Sequence, residues 1–222
     1  MKLATLTELN AERATRRPAI VVTDTESGEQ QLVKAKDFAT DPLRAELEKA
    51  VRMGKSGNVE VAGKKLFLNV YAPTAKLVIV GAVHISQALA PMAQSLGYDV
   101  TVVDPRTAFA SPERFPDVPL VAEWPDVALP PLGIDRYTAF AALTHDPKID
   151  DPALAHALAR DCFYIGALGS RKTHAKRADR LKAQGAKEAD IARIRAPIGL
   201  PIGAVSPSEI AVAIISPSTT GL

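Results

Sequence analysis

The chain has 222 residues, 47% of them hydrophobic, which is enough for one large domain or for a domain plus a small partner. A net charge of +2 argues against a nucleic-acid-binding surface, and no apolar stretch approaches the roughly 20 residues that a membrane span needs. One cysteine, Cys162, excludes an internal disulfide and a cysteine-based metal site; with no apolar signal-type core in Met1 to Asn10, the expectation is a reduced, cytoplasmic protein that binds neither nucleic acid nor membrane.

Residues 1–72 read as a small α+β module. Ile20 to Val22 is a strand, Glu26-Ser27-Gly28 a turn, and Gln30 to Val33 the return strand. Asp41-Pro42 opens a helix, with Asp41 as N-cap and Pro42 at the first helical position. Leu43, Leu47, Ala50 and Val51 share its apolar face, and Gly54 ends it. Val59 to Val61 and Leu66 to Tyr71 form a second hairpin around Gly63-Lys64. The boundary falls near Pro73-Thr74, so residues 73–222 form the second domain.

That domain starts with a βαβ pattern. Leu77 to Val80 is a short apolar run ending at Gly81, as expected of a strand buried on both faces. Ile85 to Leu96 reads as a helix with Ile85, Leu89, Met92 and Leu96 on one buried face, stopped by Gly97. Tyr98 to Val103 is a second strand, ending in Asp104. Strand, glycine turn, helix, strand, acid is the first half of a dinucleotide-binding unit, and the 23 positions from Gly81 to Asp104 fit its spacing of roughly 20. The glycine fingerprint is incomplete, because its three positions hold Gly81, Val83 and Ser86. Val83 stands where a second glycine lets a pyrophosphate approach the backbone, and His84 adds a polar group beside it. Asp104 is placed to bind a ribose hydroxyl or to cap the following turn; Arg106 is placed to meet a terminal phosphate or to sit at the surface.

A proline-rich connection follows, Ser111 to Pro116, then a third strand at Leu120-Val121. Pro125 to Gly133 reads as loop or broken helix, and Tyr137 to Thr144 as a fourth apolar strand, followed by His145-Asp146. Asp151-Pro152 caps a helix carrying Leu154 and Leu158, and Cys162 to Ile165 is a fifth strand with Cys162 in the core. The alternation of strands and helices predicts an α/β fold, a Rossmann-like doubly wound parallel sheet.

After that fifth strand comes Gly166-Ala167-Leu168-Gly169-Ser170-Arg171-Lys172-Thr173-His174. Gly166 and Gly169 permit a sharp turn, and Ser170 caps a helix whose free N–H groups favour an anion. Arg171, Lys172 and His174 bring cationic groups to that same positive end, an arrangement that an anion would relieve. Arg193 to Ala204 reads as a loop. Ser206-Pro207-Ser208-Glu209 is a capping box for a buried helix over Ile210 to Ile215, with a frayed end from Ser216 to Leu222.

Gly81-Ala82-Val83-His84, Asp104-Pro105-Arg106, Phe163 to His174, and Pro197-Ile198-Gly199-Leu200 through Ser206 to Ala211 together resemble the XdhC/CoxI family. The resemblance covers about residues 76–215. These proteins are maturation factors for xanthine dehydrogenase, carbon monoxide dehydrogenase and related molybdenum hydroxylases. It implies a Rossmann-like domain that handles molybdenum cofactor (molybdopterin or its dinucleotide form), helps insert it into an apo molybdenum hydroxylase, and works as a homodimer. This chain departs from the family pattern at Val83, where glycine is usual, and at Pro201, where an acid is usual. It also lacks the cysteine-containing N-terminal segment of larger members.

The expected cofactor-binding set is therefore Gly81, Val83, His84, Asp104, Arg106, Gly166, Gly169, Ser170, Arg171 and His174. No nucleophile–base pair and no metal-ligand cluster stands out, which suits a non-catalytic cofactor-binding chaperone. The rival readings are an NAD(P)-dependent oxidoreductase using the same site and a scaffold that only bridges partners.

Overall fold

Four apolar stretches pair antiparallel in the first of two units, Met1–Pro73; the second begins at Thr74. The computed structural model describes residues 1–218. The first unit contains α1 (Leu3–Ala14), β1 (Ala19–Asp24), β2 (Gln30–Lys34), α2 (Arg44–Met53), β3 (Gly57–Val61) and β4 (Lys64–Tyr71). Its sheet runs β2-β1-β4-β3, and both expected hairpins are present. Ile20, Val22, Leu66 and Leu68 face Phe38 and Leu47 in its core. α1 leaves no mark in the sequence pattern, because its only buried apolar residue is Leu9, too little for a visible helical stripe. The helix expected at Pro42 begins at Arg44 instead. The Asp41 carboxylate accepts from the Leu43 amide at 2.8 Å, so it closes the preceding turn.

The second unit contains β5 (Lys76–Val80), α3 (His84–Ser95), β6 (Asp99–Val103), β7 (Leu120–Val121), α4 (Pro125–Ala128), β8 (Thr138–Ala142), α5 (Pro147–Leu158), β9 (Tyr164–Ala167), α6 (Arg171–Ala183), α7 (Glu188–Ile191), β10 (Ile194–Arg195) and α8 (Pro207–Ser218). All its strands are parallel, in the order β10-β9-β8-β5-β6-β7. Alternate side chains of β5 enter opposite cores. Leu77 and Ile79 meet Leu89 of α3 and Ile214 of α8; Val78 and Val80 meet Leu154 of α5 and Leu181 of α6. The sheet is thus doubly wound and Rossmann-like. The chain leaves β5 toward β6 on one side, and later fills β8 on the other. The crevice for a ligand therefore lies where these two connections diverge, at the carboxyl ends of β5 and β8.

Several boundaries differ from expectation. Leu96 follows α3 and is exposed, while Ser86, Leu89, Ala90 and Ala93 are that helix's buried residues. Asp146, not Asp151, caps α5: its carboxylate accepts the Lys148 amide at 2.9 Å, and Asp151-Pro152 lies inside the helix. Cys162 precedes β9 rather than belonging to it, yet is buried in the core. Ile194-Arg195, expected as loop, adds a two-residue strand to the sheet. The capping box of α8 forms as expected, but Val212 leaves one side of that helix exposed. The expected frayed end begins at Ser216, which is still helical, and its last four residues, 219–222, lie outside the described residues.

Candidate cofactor-binding site

The turn from β5 into α3 is held from several sides. Gly81 has φ +119°, and a Cβ there would sit 2.9 Å from Cγ2 of Thr144 and 3.1 Å from its backbone nitrogen. This glycine lets the turn pack against the end of β8. Ser86, at the fingerprint's third position, is buried and donates its hydroxyl to the Gly81 carbonyl. Val83 ends the turn as the N-cap of α3, half-buried, and His84 is exposed beside it. Arg114 donates to the carbonyls of Ala82 and Phe109, both at 2.8 Å, and to Gln87 at 3.0 Å, tying the turn to the loop after β6.

Asp104 is fully buried, and its carboxylate is engaged by the chain itself. It accepts from the Ala82 amide at 2.7 Å, from the Arg106 amide at 3.0 Å, and from the Arg106 guanidinium at 2.9 and 2.7 Å. Burial opposes its ionisation, but the Arg106 side chain and the two amides outweigh it and hold the carboxyl below the usual carboxylate range. Of the two roles open to Asp104, a ribose contact or a cap of the following turn, its carboxylate performs the second here and also clamps the first turn. Arg106, a third exposed, also stacks on Phe109 at 4.4 Å, so the surface it presents is the edge of a fixed guanidinium.

The second turn, from β9 into α6, separates its expected residues. Gly166 lies within β9, where a Cβ would sit 2.5 Å from Cδ1 of Ile198. Its expected part in the sharp turn is corrected: it makes room for packing. Gly169 has φ +127° and makes the turn. Ser170 caps α6 as expected, accepting the Thr173 amide at 3.2 Å. Arg171 is exposed at the helix start. His174 is half-buried with no hydrogen-bond partner on Nδ1; burial, then Arg177, push its pKa down, so it favours the neutral form instead of the expected cation.

Residues matched by the XdhC Rossmann domain pattern run from 77 to 217, well over half of the chain. The chain belongs to the XdhC family. Among curated XdhC-like relatives, it is 32% identical over 155 residues to YqeB of Escherichia coli, a protein of uncharacterised function, covering 68% of this chain and 28% of YqeB. It is 32% identical over 130 residues to the molybdenum cofactor insertion chaperone PaoD of Escherichia coli, covering 59% of this chain and 35% of PaoD. It is 28% identical over 152 residues to a probable xanthine dehydrogenase subunit of Bacillus subtilis, covering 68% of this chain and 44% of that protein. The chain spans less than half the length of each of these relatives. A crystal structure described as a xanthine dehydrogenase from Bacillus halodurans shares the fold, with a TM-score of 0.69 at 23% identity, covering 97% of this chain and 65% of the other.

Within the XdhC domain, three residues that belong to no expected binding set shape the region. They are Arg114 at the first turn, and Asp150 and Arg177 between α5 and α6. Arg177 had a readable signal: it falls four positions before Leu181, on the stripe that α6 turns to the core. Among the described residues, no group of three or more His, Cys, Asp or Glu is placed to hold a metal ion, and no helix is long and apolar enough to cross a membrane.

Proposed function

We propose that this XdhC-family chain is an accessory factor that binds molybdenum cofactor, as molybdopterin or its dinucleotide form, and assists its insertion into an apo molybdenum hydroxylase of the xanthine dehydrogenase type. The observation that carries this is the match of residues 77–217 to the XdhC Rossmann domain, together with the likeness to PaoD, itself named an insertion chaperone for this cofactor. In this reading the cofactor enters the crevice at the carboxyl ends of β5 and β8. The exposed His84, the Arg106 edge, and the Ser170–Arg171 start of α6 meet it there, and Gly81, Val83 and Gly169 shape the backbone around it. The protein works in the cytoplasm as a homodimer.

The first turn speaks against the usual pose of a nicotinamide dinucleotide and, of the two pterin forms, favours molybdopterin itself over its dinucleotide. Val83 carries a branched side chain where a pyrophosphate would approach, and Asp104 has no carboxylate oxygen free for a ribose. Cys162, the one thiol, lies in the core, and burial pushes it up to about 12, so it takes no part in the site. The test is mass spectrometry of ligands released from protein purified from a molybdenum-replete host, followed by calorimetric titration with NADP. Released pterin cofactor with negligible NADP affinity is the expected result. Micromolar NADP binding with hydride transfer, and no released pterin, would sink the proposal in favour of an oxidoreductase.

A further inference from the structure

Between the start of α5 and the first three turns of α6 lies a cavity of about 310 Å³, lined by His145, Asp150, Lys172, Lys176, Arg177 and Arg180 among others. It is at the small end of ligand pockets, which run to about 300–1,000 Å³, and so suits a compact ligand better than an extended dinucleotide. Arg177 is 2% exposed and Asp150 1% exposed. Their closest approach is 3.6 Å, too long for a hydrogen bond. The Thr144 hydroxyl donates to Asp150 Oδ1 at 2.6 Å, leaving Oδ2 without a partner. Arg177 donates one bond, from Nη2 to the Leu168 carbonyl at 2.9 Å, while Nε and Nη1 have no acceptor. A buried guanidinium with two unsatisfied nitrogens is costly by itself, and an anion supplying acceptors removes that cost.

The surrounding charges agree. Arg180 is matched by a bidentate pair with Asp151, at 2.5 and 3.0 Å. Counting the four lysines and arginines of the lining against the carboxylates of Asp150 and Asp151 leaves an excess of two positive charges. The first turn of α6, with Lys172 and Thr173, adds the positive end of a 13-residue helix. His145 has φ +64°, a strained conformation for a non-glycine residue, and stands at the rim.

We propose that this cavity is a phosphate site, with Arg177 as its floor and Lys172 and Lys176 as its rim, taking the phosphate of a small phosphorylated molecule. The site differs from the exposed edge of α6 that carries Arg171. The proposal stands whether or not the chain carries molybdenum cofactor. A free phosphate monoester and the cofactor's own phosphate present the same chemistry to it.

The test uses the full chain and inorganic phosphate, titrated calorimetrically at constant ionic strength. Wild type is expected to bind saturably in the millimolar range or tighter. Lys172→Ala together with Lys176→Ala should weaken binding tenfold or more while leaving the melting temperature nearly unchanged, because both side chains are exposed. Lys182→Ala, which removes one lysine charge in the last turn of α6, away from the cavity, should leave affinity unchanged. Arg177→Lys keeps the charge but loses the planar donor set, and should also weaken binding. If that variant fails to fold, the lysine pair still decides. Repeating the titration with protein loaded with molybdenum cofactor identifies the source: phosphate excluded by loading means the cofactor's phosphate fills the cavity, and phosphate still bound means a separate ligand does. Absence of saturable binding by wild type, or equal affinity in wild type and the double lysine variant, overturns the proposal.

Discussion

Two carboxylate–guanidinium pairs stand near the carboxyl ends of the parallel strands, and they are built in opposite ways. Asp104 and Arg106 are two residues apart, joined by three direct hydrogen bonds, with the acid buried and the arginine reaching water. Asp150 and Arg177 come from different helices, and both are buried without a direct bond. Burial pushes the Asp150 carboxyl up and the Arg177 guanidinium down, while the Asp104 carboxyl is held low. The first pair has spent its hydrogen-bonding capacity on fixing a turn. The second retains acceptors and donors that the chain itself does not use. A buried charge with open valences points toward a ligand; one with none points toward architecture.

The largest expected effect comes from breaking the second pair. Arg177→Met strands the Asp150 carboxyl and should cost about 3–5 kcal/mol at neutral pH by denaturant unfolding. A cost below about 1 kcal/mol would mean that the two charges are already solvated, and the contrast would collapse. Asp104→Ala should cost less, about 2–3 kcal/mol, because it orphans the Ala82 amide while Arg106 can turn to water. Added phosphate should raise the melting temperature of that variant as much as it raises that of wild type.

A smaller effect separates the pairs by pH. Asp104 has a lowered folded pKa, so its contribution is present above the ordinary aspartate value and is lost as pH falls through the folded value. Asp150 has a raised folded pKa, so its ionisation costs stability as pH rises from the ordinary aspartate value through the folded one. Melting curves across the acid range should therefore show wild type losing its advantage over Asp104→Asn as pH falls. They should show wild type losing ground to Asp150→Asn as pH rises. Slopes of the same sign would refute the contrast. The smallest effect is expected from removing the first unit: a shortened chain starting at Ala72 should still melt cooperatively, with both pairs intact. An insoluble product, or one with no cooperative melt, would place the first unit inside the fold that holds them.

The parallel sheet was legible because its strands are unbroken apolar runs such as Leu77 to Val80, which only burial on both faces explains. The cap of α6 was legible because Ser170 follows a glycine turn. Asp151-Pro152 misled because Asp146-Pro147 offers the same cap chemistry five residues earlier, and the earlier one satisfies the Lys148 amide. Spacing left Asp104 open between a ribose contact and a cap of the following turn. The Arg106 amide on its carboxylate, a local two-residue turn that Asp favours, makes it the cap. What spacing does not show is that the Arg106 side chain returns onto the same acid. Arg177 shows only through its spacing of four from Leu181, because the run Arg-Lys-Thr-His-Ala-Lys-Arg around it otherwise resembles a solvated cationic face.

The six-stranded sheet ends on both sides in strands of only two residues, Leu120-Val121 and Ile194-Arg195. Each outer edge thus offers an incoming strand a ladder of two residues, too short to template pairing with another chain. This guards the Rossmann-like unit against edge-to-edge aggregation. It also means that any two copies joining through this unit must meet by helix or loop surfaces, and not by merging their sheets into one.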